Sequence, residues 1–375
     1  MRVLVAGASG VIGSRLVPLL TAVGHDVVAL ARSPRRTAAL ETAGADVTVA
    51  DALDRDQLLA AVRQAAPDAV VNLLTAIPAD VNPRRLAKDF ALTNRLRTEG
   101  TRNLMEAARV AGVRRIVAQG LAYGYQPGTG LANEDAPLWH GATPRQFAPV
   151  LAALISLEEQ TVAAGGTVLR FGHLYGPGSA YAADGAFTAQ VRAGKVPLVG
   201  GGNAVFSFTH ADDAATAIVA ALDRVAVGVL NVVDDEPAPL HTWLPEFAAR
   251  IGAPAPKGAP AALARLAVGG WGVAFMNRLR GADNARARLA LNWRPGYTSW
   301  RDGLPTADAV DTQAGASGAR PPAWCGGRGA PSRTAGRPAP GSAVLVDAAY
   351  VSIDHILTAK QHGIELTGPL PPDSG

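Results

Sequence analysis

From residue 2 onward, short β-branched runs alternate with longer helical stretches: RVLVAG, VIGSRLVPLLTAVG, DVVALAR, a helix near 36–43, DVTVAD, a helix near 55–65, and DAVVNLL. A strand that is apolar on both faces has to be covered on both. A helix after each strand covers one face and brings the chain back to add the next strand in parallel. The expected fold class is therefore α/β, a doubly wound parallel sheet. A long helix over Leu86–Ala111, the strand RRIVAQ, a helix containing FAPVLAALISLEE (147–159) and the strand TVLRF continue the pattern. After them the regularity breaks into the loop GHLYGPGSAYAADG, a helix around Ala186–Ala193, a hairpin-like GNAVFSFTH, a helix opening at the capping pair Asp212 and Asp213, the strand region GVLNVVDDEP and a helical stretch over 240–303. Irregular pieces added late around a sheet read as a small mixed substrate-binding lobe.

This gives one domain over 1–303, with a cofactor part mainly at 1–170 and 211–235 and a substrate lobe mainly at 171–210 and 236–303. Residues 304–343 are Gly, Pro, Ala, Ser and Arg with little to bury, the composition of a disordered linker. Residues 344–375 regain a strand–helix–strand pattern but are too few to form a core alone. The single cysteine, Cys325, excludes an internal disulfide framework and any all-cysteine metal site, which fits a reducing compartment such as the cytoplasm. The 35 Lys and Arg are scattered among 31 acids, so the net charge of +4 makes no basic stripe for nucleic acid. Apolar runs are broken by charges, Pro or Gly well before the ~18 residues a membrane helix needs. The expected partner is a small-molecule substrate, not nucleic acid or membrane, with a homodimer as the candidate assembly and no metal.

The first strand runs into Gly7-Ala8-Ser9-Gly10-Val11-Ile12-Gly13, a GxxGxxG turn that opens a helix. Glycines there let the backbone turn tightly and approach a pyrophosphate, which a helix N-terminus favours through its unpaired N–H groups and its dipole. The second strand ends in Ala31-Arg32-Ser33, with Arg35 and Arg36 behind, where an NAD-preferring site places Asp or Glu on the ribose 2'-hydroxyl. A guanidinium suits a 2'-phosphate, so NADP is expected in preference to NAD. Asp51-Ala52-Leu53, after the third strand, are placed to meet the adenine, and Leu74-Thr75, after the fourth, to line the cleft. Gln119 completes the cofactor-binding set.

With these pieces in hand, the chain resembles the extended short-chain dehydrogenase/reductase superfamily, the NAD-dependent epimerase/dehydratase group with its Rossmann sheet, and especially its atypical members. The likeness covers residues 1 to about 303 and rests on GASGVIG, EGTRNLMEAARVAGVRRIVAQ, LRFGHLYGPG and FTHADDAA. It implies a catalytic Ser or Thr after RRIVA and a Tyr-x-x-x-Lys pair on the next helix. This chain has Gln119 and Gly120 at the first place. At the second it has Val150 or Leu151, with Leu154 or Ile155, according to whether Glu158 or Glu159 matches the family's helix glutamate. The triad is absent.

Three residues are candidates to replace it: His173, a side chain able to move a proton near neutral pH, and Tyr123 and Tyr125, phenols beyond the fifth strand. Tyr175 and His210 are expected to hold loops. Residues 344–375 resemble a piece of a DDE-type insertion-element transposase, Asp347 matching one metal-holding carboxylate. Its partner acids are missing, so the segment reads as a fusion scar; an ordinary helical tail is the alternative. Three functions stay open: an NADP-preferring oxidoreductase or epimerase acting on a small carbonyl, sugar-like or polyketide-like substrate; a non-catalytic NADP sensor; and an inactive remnant cut off by a mobile element.

Overall fold

The computed structural model describes residues 1–33, 37–79, 81–224, 226–309, 343–345 and 365–367. The amino-terminal part alternates as expected: β1 (Arg2–Ala6), α1 (Val11–Ala22), β2 (Asp26–Ala31), α2 (Ala38–Thr42), β3 (Asp46–Val49), α3 (Arg55–Ala65) and β4 (Ala69–Asn72). There follow α4 (Leu86–Asp89), α5 (Ala91–Arg95), a π-helical turn (Leu96–Gly100), α6 (Thr101–Val110), β5 (Arg115–Leu121), α7 (Ala148–Ala163) and β6 (Thr167–Phe171). The single helix expected over Leu86–Ala111 is thus divided. Phe90 leaves helical geometry at ψ 5° and ends the first piece, and the π turn adds a wider loop before α6.

The lobe side contains β7 (His173–Tyr175), α8 (Ala186–Arg192), β8 (Leu198–Val199), β9 (Val205–Phe206), β10 (Phe208–His210), α9 (Ala211–Asp223) and β11 (Gly228–Val232). It closes with β12 (Ala238–Pro239), α10 (Leu240–Arg250), β13 (Gly258–Ala259), α11 (Ala261–Asn277), α12 (Ala285–Leu291) and α13 (Trp300–Gly303). Seven strands form one parallel sheet in the order β11-β6-β5-β4-β1-β2-β3. The strand order reverses between β1 and β4, and ligands of doubly wound sheets bind in the crevice at the carboxyl ends of such strands. Two apolar layers cover the sheet. Leu16, Val17, Leu20, Ile218 and Leu222 of α1 and α9 pack on one face, and Leu58, Val62, Leu104 and Ala108 of α3 and α6 on the other. A third cluster, rich in aromatics and centred on Trp243, Phe206, Phe208 and Trp300, belongs to the lobe.

Two sequence expectations on the lobe side are corrected. GNAVFSFTH is not a hairpin: β9 pairs antiparallel with β12 and β10 pairs in parallel with β7, because each finds a longer-range partner. Asp212 and Asp213 do not cap α9. His210 is its N-cap, its Nδ1 accepting from the Asp212 N–H at 3.2 Å. Asp212 instead binds Arg15 of α1 through both carboxylate oxygens. Asp213 accepts from the Gly296 and Tyr297 N–H groups at 2.7 and 3.0 Å, and burial pushes its carboxyl up to about 7. Tyr175 and His210 do hold loops: the Tyr175 hydroxyl donates to the Ser299 carbonyl at 3.3 Å, and the His210 ring stacks on Tyr297 at 3.6 Å.

Arg35, Arg36 and the transposase-like Asp347 lie outside the described residues, as does most of 304–375. The C-terminal segment contributes two described strands, Ala343–Leu345 and Glu365–Thr367, which pair in parallel. Among the described residues no helix is long and apolar enough to cross a membrane.

Candidate active site

A cleft of about 910 Å³ opens at the carboxyl ends of β1, β2, β4 and β5. Every residue expected to hold a cofactor lines it: Gly7, Ser9, Gly10, Val11, Ile12 and Gly13 from the first turn, Arg32 from the end of β2, Asp51 and Ala52 after β3, Leu74 and Thr75 after β4, and Gln119 from β5. The turn has the geometry a dinucleotide needs. Gly7 has φ +92°, and a Cβ there would stand 2.5 Å from the Leu73 carbonyl oxygen, so β1 and β4 approach each other closely only because the side chain is absent. Gly13 is equally shut in, its would-be Cβ 2.4 Å from the Ala8 carbonyl. Gly10 differs. A Cβ there would meet only the Gly7 carbonyl, at 3.3 Å, and otherwise project into open space.

Gly10 is also the N-cap of α1, which has no side-chain cap and no acid in its first turn. An uncapped helix N-terminus facing a cleft over open space fits a pyrophosphate. No carboxylate stands at the end of β2, where Arg32 is exposed beside the cleft.

On β5 the strand alternation decides which residues face the cleft. Gln119 and Leu121 line it, as does Tyr123 just beyond the strand, while a Cβ on Gly120 would point the other way, 3.2 Å from the Glu158 carboxylate. Of the two residues at the family's Ser/Thr place, Gln119 is the one on the cleft side. No residue of α7 is among those lining the cleft. Val150, Leu151 and Leu154 are buried in the lobe-side core, and Glu158 makes a two-pronged ion pair with Arg170 of β6 at 2.8 and 2.6 Å. The buried member of the glutamate pair is therefore Glu158; Glu159 is exposed.

The three replacement candidates separate. Tyr125 is off the cleft: it is fully buried, donates to Asn231 Oδ1 at 2.6 Å and accepts from the Arg170 guanidinium at 2.8 Å. Its phenol belongs to the Glu158–Arg170 network. His173 does line the cleft, but in a strand, not a loop, and it is 5 % exposed. Its ring lies between Tyr123 at 4.4 Å and Phe206 at 4.3 Å, both stacked, and its Nε2 has no hydrogen-bond partner. Burial brings its pKa down to about 3, so the imidazole is neutral throughout the physiological range and holds no exchangeable second proton. Its place is that of an aromatic wall. His173→Phe is expected to keep the stack, remove one unpaired buried nitrogen and leave cofactor affinity unchanged. His173→Ala should lower stability by about 3 kcal/mol through the cavity it leaves. Thermal melts and cofactor titration check both; a loss of cofactor affinity in His173→Phe would give the ring a direct polar role. Tyr123, half-buried, remains in the cleft beside Tyr181, which the sequence did not single out.

Residues 3–232 match the model of the NAD dependent epimerase/dehydratase family. The chain belongs to that family. It is 49% identical over 312 residues to a 3-diazoavenalumate denitrifying reductase of Streptomyces sp., covering 81% of this chain and 99% of the relative. Similarity extends to the UDP-glucose 4-epimerase of Mycolicibacterium smegmatis, 29% identical over 79% of this chain and 94% of the epimerase. Among solved structures, MoeE5 in complex with UDP-glucose and NAD superposes at a TM-score of 0.64 with 25% identity, over 84% of this chain and 99% of that one. The human epimerase family protein SDR39U1 with NADPH does so at 0.62 with 26% identity, over 83% and 99%. Relatives of this family are oxidoreductases and epimerases, and those structures hold either NAD or NADPH. The family and these neighbours thus support a nicotinamide cofactor, and the glycine turn has room for a dinucleotide.

Proposed function

We propose that this chain is an NADP-preferring reductase of a small aromatic substrate carrying a diazo group, which it replaces by hydrogen. The observation that carries the reading is the character of the cleft beyond the cofactor turn. Leu121, Tyr123, Leu174, Tyr181 and the neutral His173 line it, and among the described lining residues the only cation is Arg32, at the cofactor end. A nucleoside diphosphate sugar carries a diphosphate that needs a cationic or dipolar partner, and beyond the cofactor turn the lining offers only the N-terminus of the short helix α8, at Gly185 and Ala186, beside the Asp184 carboxylate. The aromatic faces here suit a flat, apolar ring instead.

A reduced nicotinamide, when bound, supplies a hydride. A diazonium carbon that gains a hydride loses dinitrogen together with the C–N electron pair, so charge and atoms balance with no proton supplied by the protein. Loss of the Tyr-x-x-x-Lys pair is compatible with that reaction, whereas epimerisation or carbonyl reduction needs a proton moved. The 49% identity to a diazo-reducing relative points the same way. In this cleft the chain's own residues bind the dinucleotide, stack the ring and keep water out.

The test is NADPH oxidation with an arenediazonium salt, scored for dinitrogen and arene in equal amounts, beside a panel of ketones and UDP-glucose and a direct NADP titration. Turnover confined to the diazonium supports the reading. Turnover of UDP-glucose overturns it, binding without any turnover makes the chain a sensor, and neither makes it an inactive remnant.

Preference for NADP rests on Arg32 standing where an acid would hold the 2'-hydroxyl. Arg32→Asp is expected to weaken NADP about tenfold or more, the worth of one charge-assisted contact, and to spare or improve NAD. Equal wild-type affinity for the two dinucleotides would refute the assignment.

A further inference from the structure

A second cavity, of about 310 Å³, lies outside the cleft and shares no lining residue with it. It opens between the loop beyond β5, from Pro127 to Leu131, and the stretch from Asn277 to Arg280 at the end of α11. Two arginines, Arg278 and Arg280, line it, and no described lining residue is acidic. The acids nearest to them in sequence are engaged elsewhere. Glu134 and Asp135 meet Arg286 at 3.4 and 2.5 Å, and Asp283 accepts from the Ala285 N–H at 3.1 Å.

Neither guanidinium is a loose surface charge. Arg280 donates from Nε and Nη2 to the Gly130 and Leu131 carbonyls, both at 3.0 Å, which fixes the plane of its fork and leaves Nη1 as an unused donor among the described residues. Gly128 keeps that edge uncovered: a Cβ there would stand 3.4 Å from Nη1. Arg278 lies over the ring of the buried Trp139, its Cζ 5.2 Å from the centroid, and makes no ion pair or hydrogen bond among the described residues. Two ordered like charges at one cavity repel each other, and an anion held by both relieves that. A guanidinium fork matches the oxygens of a carboxylate or a phosphate.

The rest of the lining decides between those two. Pro127, Leu131, Val205 and Leu279 are apolar, and Leu131 is 44 % exposed, so apolar surface stands uncovered beside the charged end. A free phosphate would satisfy the arginines and leave that surface in water. We propose that this groove binds a small organic carboxylate, its anionic end held by Arg278 and Arg280 and its apolar body on Leu131 and Val205. The volume is at the small end for ligand sites and suits an acid with one ring. One strand separates it from the cleft: Val205 lines the groove, while the next residue of β9, Phe206, stacks on His173 in the cleft wall at 4.3 Å. The site is independent of the dinucleotide and of the diazo reading.

The test is equilibrium titration of the full chain with benzoate, with its neutral counterpart benzamide and with inorganic phosphate. The wild type is expected to bind benzoate about tenfold or more tightly than benzamide, the worth of one charge-assisted contact, and more tightly than phosphate, whether or not NADP is present. Added salt should weaken benzoate and spare benzamide. Arg278→Gln and Arg280→Gln should each erase most of the preference, and Leu131→Asp, which sets a carboxylate beside the arginines at an exposed position, should do the same. Thermal melts accompany each variant, because Arg280 also secures the 130–131 backbone; if Arg280→Gln does not fold, Arg278→Gln and Leu131→Asp carry the test. Benzoate bound no more tightly than benzamide, a preference that survives in folded Arg278→Gln and Leu131→Asp, phosphate bound as tightly as benzoate, or displacement of benzoate by NADP overturns the proposal.

Discussion

Gly10→Val is expected to leave the fold intact and to weaken dinucleotide binding about a hundredfold or more, close to 3 kcal/mol. The Cβ at this position meets little of the protein: the Gly7 carbonyl at 3.3 Å is its one near neighbour. The branched side chain would instead occupy the space over the first turn of α1, where the uncapped N–H groups face the cleft. A pyrophosphate kept away from them loses hydrogen bonds and the helix dipole together. Gly7→Ala makes the contrast. At φ +92°, with Leu73 only 2.5 Å from the new Cβ, it should cost about 2 kcal/mol of stability whether or not a ligand is present. Calorimetric titration with NADP and thermal melts of the two variants separate the effects. If Gly10→Val binds normally, the dinucleotide does not lie on this turn.

Glu158→Ala is expected to be the most damaging single change to stability, by about 3–5 kcal/mol, because it strands a buried charge. Arg170 and Glu158 are 5 % and 6 % exposed, and the guanidinium is held by two Glu158 oxygens and the Tyr125 phenol. The network ties α7 to β6 and, through Asn231, to β11 at the edge of the sheet. Replacing both charged members at once, Glu158→Leu with Arg170→Met, should restore much of the loss, since no ion is then left unpaired. Chemical denaturation of the single and double variants measures this; a double variant as unstable as Glu158→Ala would mean that packing around Gly120, not charge, dominates.

The sheet and the dinucleotide turn were legible because their signals are local. Valine- and alanine-rich runs spaced by helices dictate a parallel sheet whatever else the chain contains, and RVLVAGASGVIG combines strand, turn and helix within twelve residues. The missing catalytic pair was equally plain, since Val150, Leu151, Leu154 and Ile155 cannot transfer a proton in any fold. The break at Phe90 and the π turn after it were not visible. The apolar spacing of Leu86–Ala111 is helical throughout, and only packing against α7 and the sheet selects the wider turn.

Where Tyr123, Tyr125, His173 and Arg97 lie was decided by tertiary structure. Tyr123 and Tyr125 are two residues apart, yet one lines the cleft and the other is sealed beneath it, because the chain leaves strand geometry after Leu121 and same-side alternation no longer holds. His173 offers a titratable ring in sequence, but Phe206 and Phe208, more than thirty residues later, enclose it and keep it neutral. Arg97 lies between Arg95 and Glu99 in sequence, yet in the π turn it is buried. The sequence by itself determined the scaffold, the cofactor class and the absence of the usual proton donor, all of which follow from neighbouring residues. What the cleft does with its remaining polar groups depends on solvent exclusion and on charges brought close from distant segments, and those exist only once the chain has folded.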